Sequence, residues 1–279
     1  RELAASAPPF AANVPVVVIT DDSATMLASS VAILRQHPWI QFSLSSSAFT
    51  SPHIRNQLEG FLDRVFDREP PLISETGFGR IALLANAARR EERFARMREF
   101  FVNNGLSQRT IEAAIDVTEE LVMNALYDAP FEAGFFSAAV PRTQLVELPR
   151  DRACEISYGL HDGELFVRLR DTFGALTRRR VIDVLSRCVA SEVSLDESRG
   201  GAGLGLWRIF STASSIAITV KPRCLTDIMV TISTQRGRAA KPLRAISLFM
   251  TATDERATVA RAPALFGDLD HSFAMTASI

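Results

Sequence analysis

The chain reads as an α+β protein: a two-layer sandwich in which a mixed β-sheet is covered by helices on one face, preceded by a small α/β unit. Three observations predict this. The second half of the sequence runs through two helical patterns, a strand pair, further helices and a second strand pair. Residues 14–36 give a strand–turn–helix start. Pro70-Pro71 separates the two regions.

The elements follow in order. Residues 1–13 are small and Pro/Ala-rich, and are expected to be flexible. Val14 to Ile19 is an apolar, β-branched run, and Thr25 to Gln36 is amphipathic and is stopped by Pro38. Ile40 to Leu44 predicts a second strand, and His53 to Asp67 a helix with Ile54, Leu58, Phe61, Leu62 and Val65 on its apolar side. These segments make up a unit over 14–72. A second unit spans 76–235. It starts with a strand at Arg80 to Leu84 and a charged helix at Arg89 to Asn103. Ser107 caps a long helix from Gln108 to about Tyr127. Residues 128–152 hold three prolines and little periodicity, which marks a long functional loop. Glu155–Leu160 and Leu165–Arg170 form a strand pair about a His161-Asp162-Gly163-Glu164 turn. Thr177 to Val189 and Leu206 to Ala213 are helical, and Ser215–Val220 and Thr226–Thr234 form the closing strands. In the tail, 236–279, one more strand is expected at Arg244 to Thr251 and the rest is expected to be partly disordered.

Composition narrows the function classes. A chain of 279 residues that is 47% hydrophobic can build a sizeable core. A net charge of −1 gives no general electrostatic drive toward nucleic acid. No apolar run reaches the ~18 residues of a membrane span. Three scattered cysteines (Cys154, Cys188, Cys224) suggest a reduced, cytoplasmic protein without a disulfide framework. The four histidines are not spaced with them as zinc ligands.

Three motifs carry chemistry. On the long helix, Ile111, Ile115, Thr118, Val122 and Ala125 share an apolar stripe, with Glu120, Asn124 and Asp128 on a polar stripe beside it. A carboxylate one turn before a carboxamide at the border of a core can face a cleft. There the amide oxygen can coordinate Mg²⁺ and the carboxylate can take a proton. The bland alternative is the solvated flank of an amphipathic helix. The second motif, Asp171-Thr172-Phe173-Gly174, ends a strand. Its carboxylate can accept from an exocyclic amine such as that of adenine, and Gly174 permits close approach. An ordinary Asp-containing turn is the alternative. The third motif is Gly201-Ala202-Gly203-Leu204-Gly205-Leu206, directly before a helix. Such a run brings backbone N–H groups close to a phosphate. It is not a P-loop, because Leu206-Trp207 follows where Lys-Ser/Thr would stand.

In this order the three motifs resemble the nucleotide site of the histidine-kinase-like ATPases, the superfamily that includes gyrase, MutL and sensor kinases. Glu120-x-x-x-Asn124-Ala125 matches the N box, Asp171-x-Phe173-Gly174 is similar to the G1 box, and the glycine run matches the G2 box. Thr226 sits where a late-strand threonine closes such sites. The resemblance covers about residues 78–235 and looks most like the anti-sigma-factor serine kinases. It implies ATP and Mg²⁺ as cofactors. Asn124 would hold Mg²⁺, Glu120 would be the general base, and Asp128 would occupy the polar position after them. Asp171 would read adenine beside Gly174. Gly201, Gly203, Leu204, Gly205 and Leu206 would cradle phosphates, with Thr226 closing the site.

The resemblance also implies a regulatory protein partner, controlled by phosphorylation or sequestration, and by analogy a homodimer. Direct nucleic-acid or membrane binding is not implied. The chain departs from the pattern at Phe173, where the G1 box has its first glycine. This supports a second reading, a non-catalytic interaction module. Residues 190–199 lie where an ATP lid would be, and 128–152 is longer than that branch carries. Val16 to Asp22 looks like the start of a receiver domain, but the unit is at most a truncated relative, and Asp21-Asp22-Ser23 as a helix cap is the preferred reading. Arg178-Arg179-Arg180 reads as a solvated basic face in preference to a phosphate-binding one.

Overall fold

The computed structural model describes residues 16–20, 26–46, 48, 51–65, 78–161, 163–190, 204–234 and 243–250. Its strands are β1 (Val16–Thr20), β2 (Ile40–Ser45), β3 (Phe78–Leu84), β4 (Cys154–His161), β5 (Glu164–Asp171), β6 (Ser215–Lys221), β7 (Leu225–Ser233) and β8 (Ala245–Met250). Its α-helices are α1 (Met26–Gln36), α2 (Pro52–Val65), α3 (Arg90–Asn103), α4 (Gln108–Met123), α5 (Ala129–Glu132), α6 (Arg178–Ala190) and α7 (Leu204–Thr212). The eight strands form one sheet in the order β1-β2-β8-β6-β7-β5-β4-β3. The β1/β2 and β6/β8 pairs are parallel and the others antiparallel, so the sheet is mixed as predicted.

Strand alternation sorts the side chains. Leu165, Val167 and Leu169 of β5, Ile228, Val230 and Ile232 of β7, Ile216, Ile218 and Val220 of β6, and Ile246 and Leu248 of β8 all enter one core with the helices. Period-2 burial of this kind follows from successive side chains pointing to opposite faces. Helix α4 lies at the centre of that core. Its predicted stripe, Ile111, Ile115, Thr118, Val122 and Ala125, is buried throughout, as are Ala114, Val117 and Leu121. Ser107 caps it as expected, its Oγ accepting from the Thr110 N–H at 3.3 Å. Helix α3 buries Phe94, Met97, Phe100 and Phe101, and the rings of Phe100 and Phe101 meet Tyr158 of β4 edge-on and tilted, at 5.5 and 5.7 Å.

One expectation about the helices is corrected. Helix α4 does not continue regularly to Tyr127. Residues Asn124–Asp128 form a π-helical turn, with the Ala129 N–H donating to the Asn124 carbonyl. The cause is Pro130, which has no N–H and crowds the carbonyl one α-turn back; a wider turn relieves both. In the preceding small unit, helix α2 lies on the other face of the sheet. Phe42 and Leu44 of β2 and Ala245 of β8 pack with Ile54 and Phe61 of α2 in a second, smaller cluster. Ser43, pointing the other way, bonds Ser30 of α1 at 2.9 Å. Helix α2 therefore covers the face opposite α1 at the β1–β2–β8 end.

The first two strands join the rest of the sheet through β8, where Phe42, Ser43 and Leu44 pair with Ser247, Ile246 and Ala245. Arg178 adds a second link: its Nη2 donates to the Leu34 carbonyl at 3.0 Å and to the Ile40 carbonyl at 2.8 Å. The expectation of a solvated basic run is thus corrected for this residue. Its aliphatic stem lies between α6 and α1, and its head satisfies one of the carbonyls that the end of α1 leaves open. The Asp21-Asp22-Ser23 turn and residues 1–13 lie outside the described residues, as does the tail apart from 243–250. Among the described residues no helix is long and apolar enough to cross a membrane.

Candidate functional site

The antiparallel register sets Asp171, at the end of β5, directly opposite Thr226 of β7, which in turn pairs with Val220 of β6. Both lie on the helix-facing row that begins with Leu165 and Val167. Above them run α4 and α7. The result is a cleft with about 40 Å³ of enclosed space, lined on its apolar side by Leu121, Ala125, Leu169, Leu176, Leu206 and Ile228. Asp171 and Thr226 close its sheet end, and Asn124, Asp128, Glu132 and Arg180 reach it from the helices. An apolar wall with a few convergent polar groups is the composition of a small-molecule site.

The chemistry of Asp171 is set by burial. Only 5% of the residue is exposed. Loss of solvent pushes its carboxyl from the usual 3.8 up to about 6, against the pull of the Phe173 and Gly174 N–H groups. Those two groups donate to Oδ1 at 2.9 and 3.2 Å. Thr226 stands near enough to favour the ionised form, yet its buried Oγ1 has no partner in hydrogen-bond geometry. A buried, unsatisfied hydroxyl is costly, so a cleft that contains one is poised to bond a ligand.

Gly174 holds this corner by necessity. Its φ is +58°, and a Cβ there would lie 2.2 Å from the Lys221 carbonyl oxygen. The β6–β7 turn, in which the Arg223 N–H donates to the Gly174 carbonyl, therefore packs on a bare backbone. Phe173, the departure from the G1 pattern, is buried: Phe135 meets its ring edge-to-face at 5.6 Å and the Arg152 guanidinium sits over it at 5.6 Å. The side chain fills a slot under the long loop and stays clear of the cleft lining.

At the cleft mouth the predicted polar stripe is brought together, but around arginines. Arg142, from the irregular stretch after α5, places Nη2 3.0 Å from Asp128 Oδ2 and 3.5 Å from Asn124 Oδ1, and Nη1 3.5 Å from Glu120 Oε2. Arg208 of α7 lies 3.6 Å from Glu120 Oε1. Arg180 pairs with Glu132 and lies 4.0 Å from Asp128. Three carboxylates thus face three guanidinium groups. Gly205 belongs to the same corner, because a Cβ there would fall 2.2 Å from Glu120 Oε2. Bare backbone at 205 lets the carboxylate lie against the first turn of α7.

The donor set fits one expected cofactor and not the other. The apolar slot, the Asp171 carboxylate and the orphan Thr226 hydroxyl suit a purine. The surrounding arginines suit phosphates. Mg²⁺ does not fit this arrangement: Asn124 Oδ1, the atom expected to ligate it, lies 3.5 Å from the Arg142 guanidinium, which would repel a dication. Among the described residues no group of three acidic, His or Cys side chains is arranged to hold a metal ion.

The structure thus gathers Glu120, Asn124, Asp128, Asp171, Gly174, Gly205, Leu206 and Thr226 around one cleft. Leu204 opens α7, while Gly201, Gly203 and the expected lid at 190–199 fall at or beyond the edge of the described residues. Sequence reading missed Arg142 and Arg208. Arg208 carried a signal, lying one turn after Gly205 on the same helix. Arg142 carried none, because an irregular chain path brings it back across 14 to 22 residues.

No family model matches the chain, and no curated protein matches it. Among solved structures it is similar to the SiaB-SiaC complex from Pseudomonas aeruginosa, with a TM-score of 0.39 and 15% identity over 64% of this chain and 99% of that one. That likeness is too distant to transfer a function.

Proposed function

We propose that the protein is a regulator that binds an adenine nucleotide in the α4–α7 cleft and controls a protein partner. The observation that carries the reading is the pairing of Asp171 with Thr226 at the closed end of an apolar slot. One is a buried carboxyl and the other an unpartnered hydroxyl, and both face the same space. The ionised carboxylate can accept from an exocyclic amine, and the threonine hydroxyl can donate to or accept from the same ring edge. Leu121, Ala125, Leu169 and Ile228 would sandwich the base. The phosphates would point toward Arg180, Arg142, Arg208 and the N-terminus of α7.

Control of a partner would run through the loop that carries Arg142. The loop is tied to the cleft by Phe135 on Phe173 and by Arg142 on the carboxylates, and to the body by the Tyr127 hydroxyl donating to the Gln144 carbonyl at 2.7 Å. Its Phe131, Phe135 and Leu145 are exposed apolar side chains beside the cleft. Ligand phosphates that draw on Arg142 would reposition this surface.

Sequestration is favoured over phosphate transfer, because both oxygens of Glu120 face a guanidinium. With a guanidinium against each oxygen, neither is open to meet a partner hydroxyl. In the kinase reading Glu120 would have to shed Arg142 and Arg208 and take a proton from a partner hydroxyl. Direct binding of ATP, with Asp171→Asn as control, tests the shared premise. Phosphate release by wild type compared with Glu120→Gln separates the branches, since equal rates would exclude Glu120 as a base.

A further inference from the structure

The polar stripe on α4 has the composition of a divalent-cation site, yet its charges are already matched. Arg142 reaches all three of its members: Glu120, Asn124 and Asp128. Arg208 takes the other oxygen of Glu120, and Arg180 takes Glu132 with a longer reach to Asp128. A dication ligated by Asn124 Oδ1 would stand next to the Arg142 guanidinium and be repelled by it. Arg142 is no stray surface side chain. Its side chain is 30% exposed, and the chain is anchored just after it, by the Gln144 and Val146 carbonyls accepting from Tyr127 and Ala87 and by the Asn86–Glu147 bridge.

We infer that Arg142 is the built-in cation of this cleft: it takes the position of a metal ion, and the cleft binds its phosphate ligand without Mg²⁺. The inference rests on the nucleotide reading above and adds the form of the ligand, metal-free nucleotide. A guanidinium suits the role. It is planar, permanently charged and has five N–H donors, so it can keep Asp128 on one edge and meet a phosphate oxygen with another. Arg208 sits across Glu120 from it and supplies a second, more exposed charge, its side chain being 56% exposed.

Two measurements on the full chain test this. In the first, ATP is titrated calorimetrically into wild type, Arg142→Ala and Arg142→Lys, each with excess Mg²⁺ and with EDTA. Wild-type affinity is expected to agree within about twofold in the two buffers. Arg142→Ala is expected to lose about tenfold or more in EDTA and to recover on adding Mg²⁺, with Arg142→Lys between them. A wild-type affinity that falls tenfold or more in EDTA overturns the inference and leaves the nucleotide reading intact. So does an Arg142→Ala variant with unchanged metal-free affinity. In the second, Mn²⁺ is added without nucleotide and bound ion is read by electron paramagnetic resonance. Wild type is expected to bind none and Arg142→Ala to bind one ion. Tight Mn²⁺ binding by wild type overturns the inference whatever nucleotide does. If ATP binds to no variant in either buffer, the nucleotide reading fails and the inference that rests on it is withdrawn. Circular dichroism of each variant confirms that the fold is kept.

Discussion

Asp171 and Thr226 face each other across the β5–β7 ladder, one a buried carboxyl and the other a buried hydroxyl without a hydrogen-bond partner. The sheet places them on its helix-facing row, in line with Leu169 and Ile228 one rung further in. Polar groups at the end of an apolar row reduce stability unless something binds to them.

The first prediction follows from the sign of that cost. The folded protein holds Asp171 protonated up to about pH 6, whereas an unfolded chain releases the proton near 3.8. Between those values the folded state binds more protons, so this residue's contribution to stability falls as pH rises and then levels off. At ~1.4 kcal/mol per pH unit the loss is about 3 kcal/mol at neutral pH. Asp171→Asn is expected to be more stable than wild type at pH 7 and equal to it near pH 4, measured by urea unfolding. The same variant is expected to lose nucleotide affinity by at least about tenfold, and wild-type affinity is expected to weaken as pH drops below about 6.

Gly174→Ala puts a Cβ against the Lys221 carbonyl at a φ of +58°. Backbone meets backbone there, so no rotamer change relieves the contact. A loss of about 2–4 kcal/mol in denaturant midpoint analysis is expected. Gly205→Ala meets only the carboxylate end of Glu120, a flexible group. It is expected to cost less than about 1 kcal/mol and to disturb the Glu120–Arg208 pair instead.

Arg178→Ala removes the donor to the Leu34 and Ile40 carbonyls between α1, β2 and α6. Two carbonyls left without that partner predict a loss of about 2 kcal/mol. Hydrogen exchange is expected to quicken in α1 and β2 before the β4–β5–β7 centre of the sheet.

The cysteines report on folding. Burial pushes the Cys154 thiol up to about 12 and Cys188 up to about 11, while Cys224 is exposed in the β6–β7 turn. A thiol reagent at pH 8 is expected to modify Cys224 at once and Cys154 only at the rate of unfolding. Rapid labelling of Cys154 would contradict the packing of β4 against β3.

Most of the fold was legible because it rests on local periodicity. The apolar stripe of α4 and the alternation in β4 to β7 each follow from one segment read alone, and Ser107 marked its helix start unaided. The π-turn at Asn124–Asp128 was less visible, since only Pro130 hints at it. The position of α2 on the opposite face was not legible, because an amphipathic helix does not state which face of a sheet it covers. In the cleft, the Asp171–Gly174 corner was readable as a strand end followed by a glycine, but the close approach that glycine permits is made by the β6–β7 turn. The Arg142 contacts were not, because they depend on how an irregular loop returns. The Arg178-Arg179-Arg180 run shows the same limit: one residue links helices, one pairs with Asp183 in solvent, and one faces the cleft.

The most direct measurement is calorimetric titration of ATP into the full chain at pH 7.5, alongside Asp171→Asn. The account predicts saturable one-site binding by wild type and little or none by the variant, with both proteins folded. Absence of binding by folded wild type at millimolar ATP, or equal affinity in the two proteins, would contradict it.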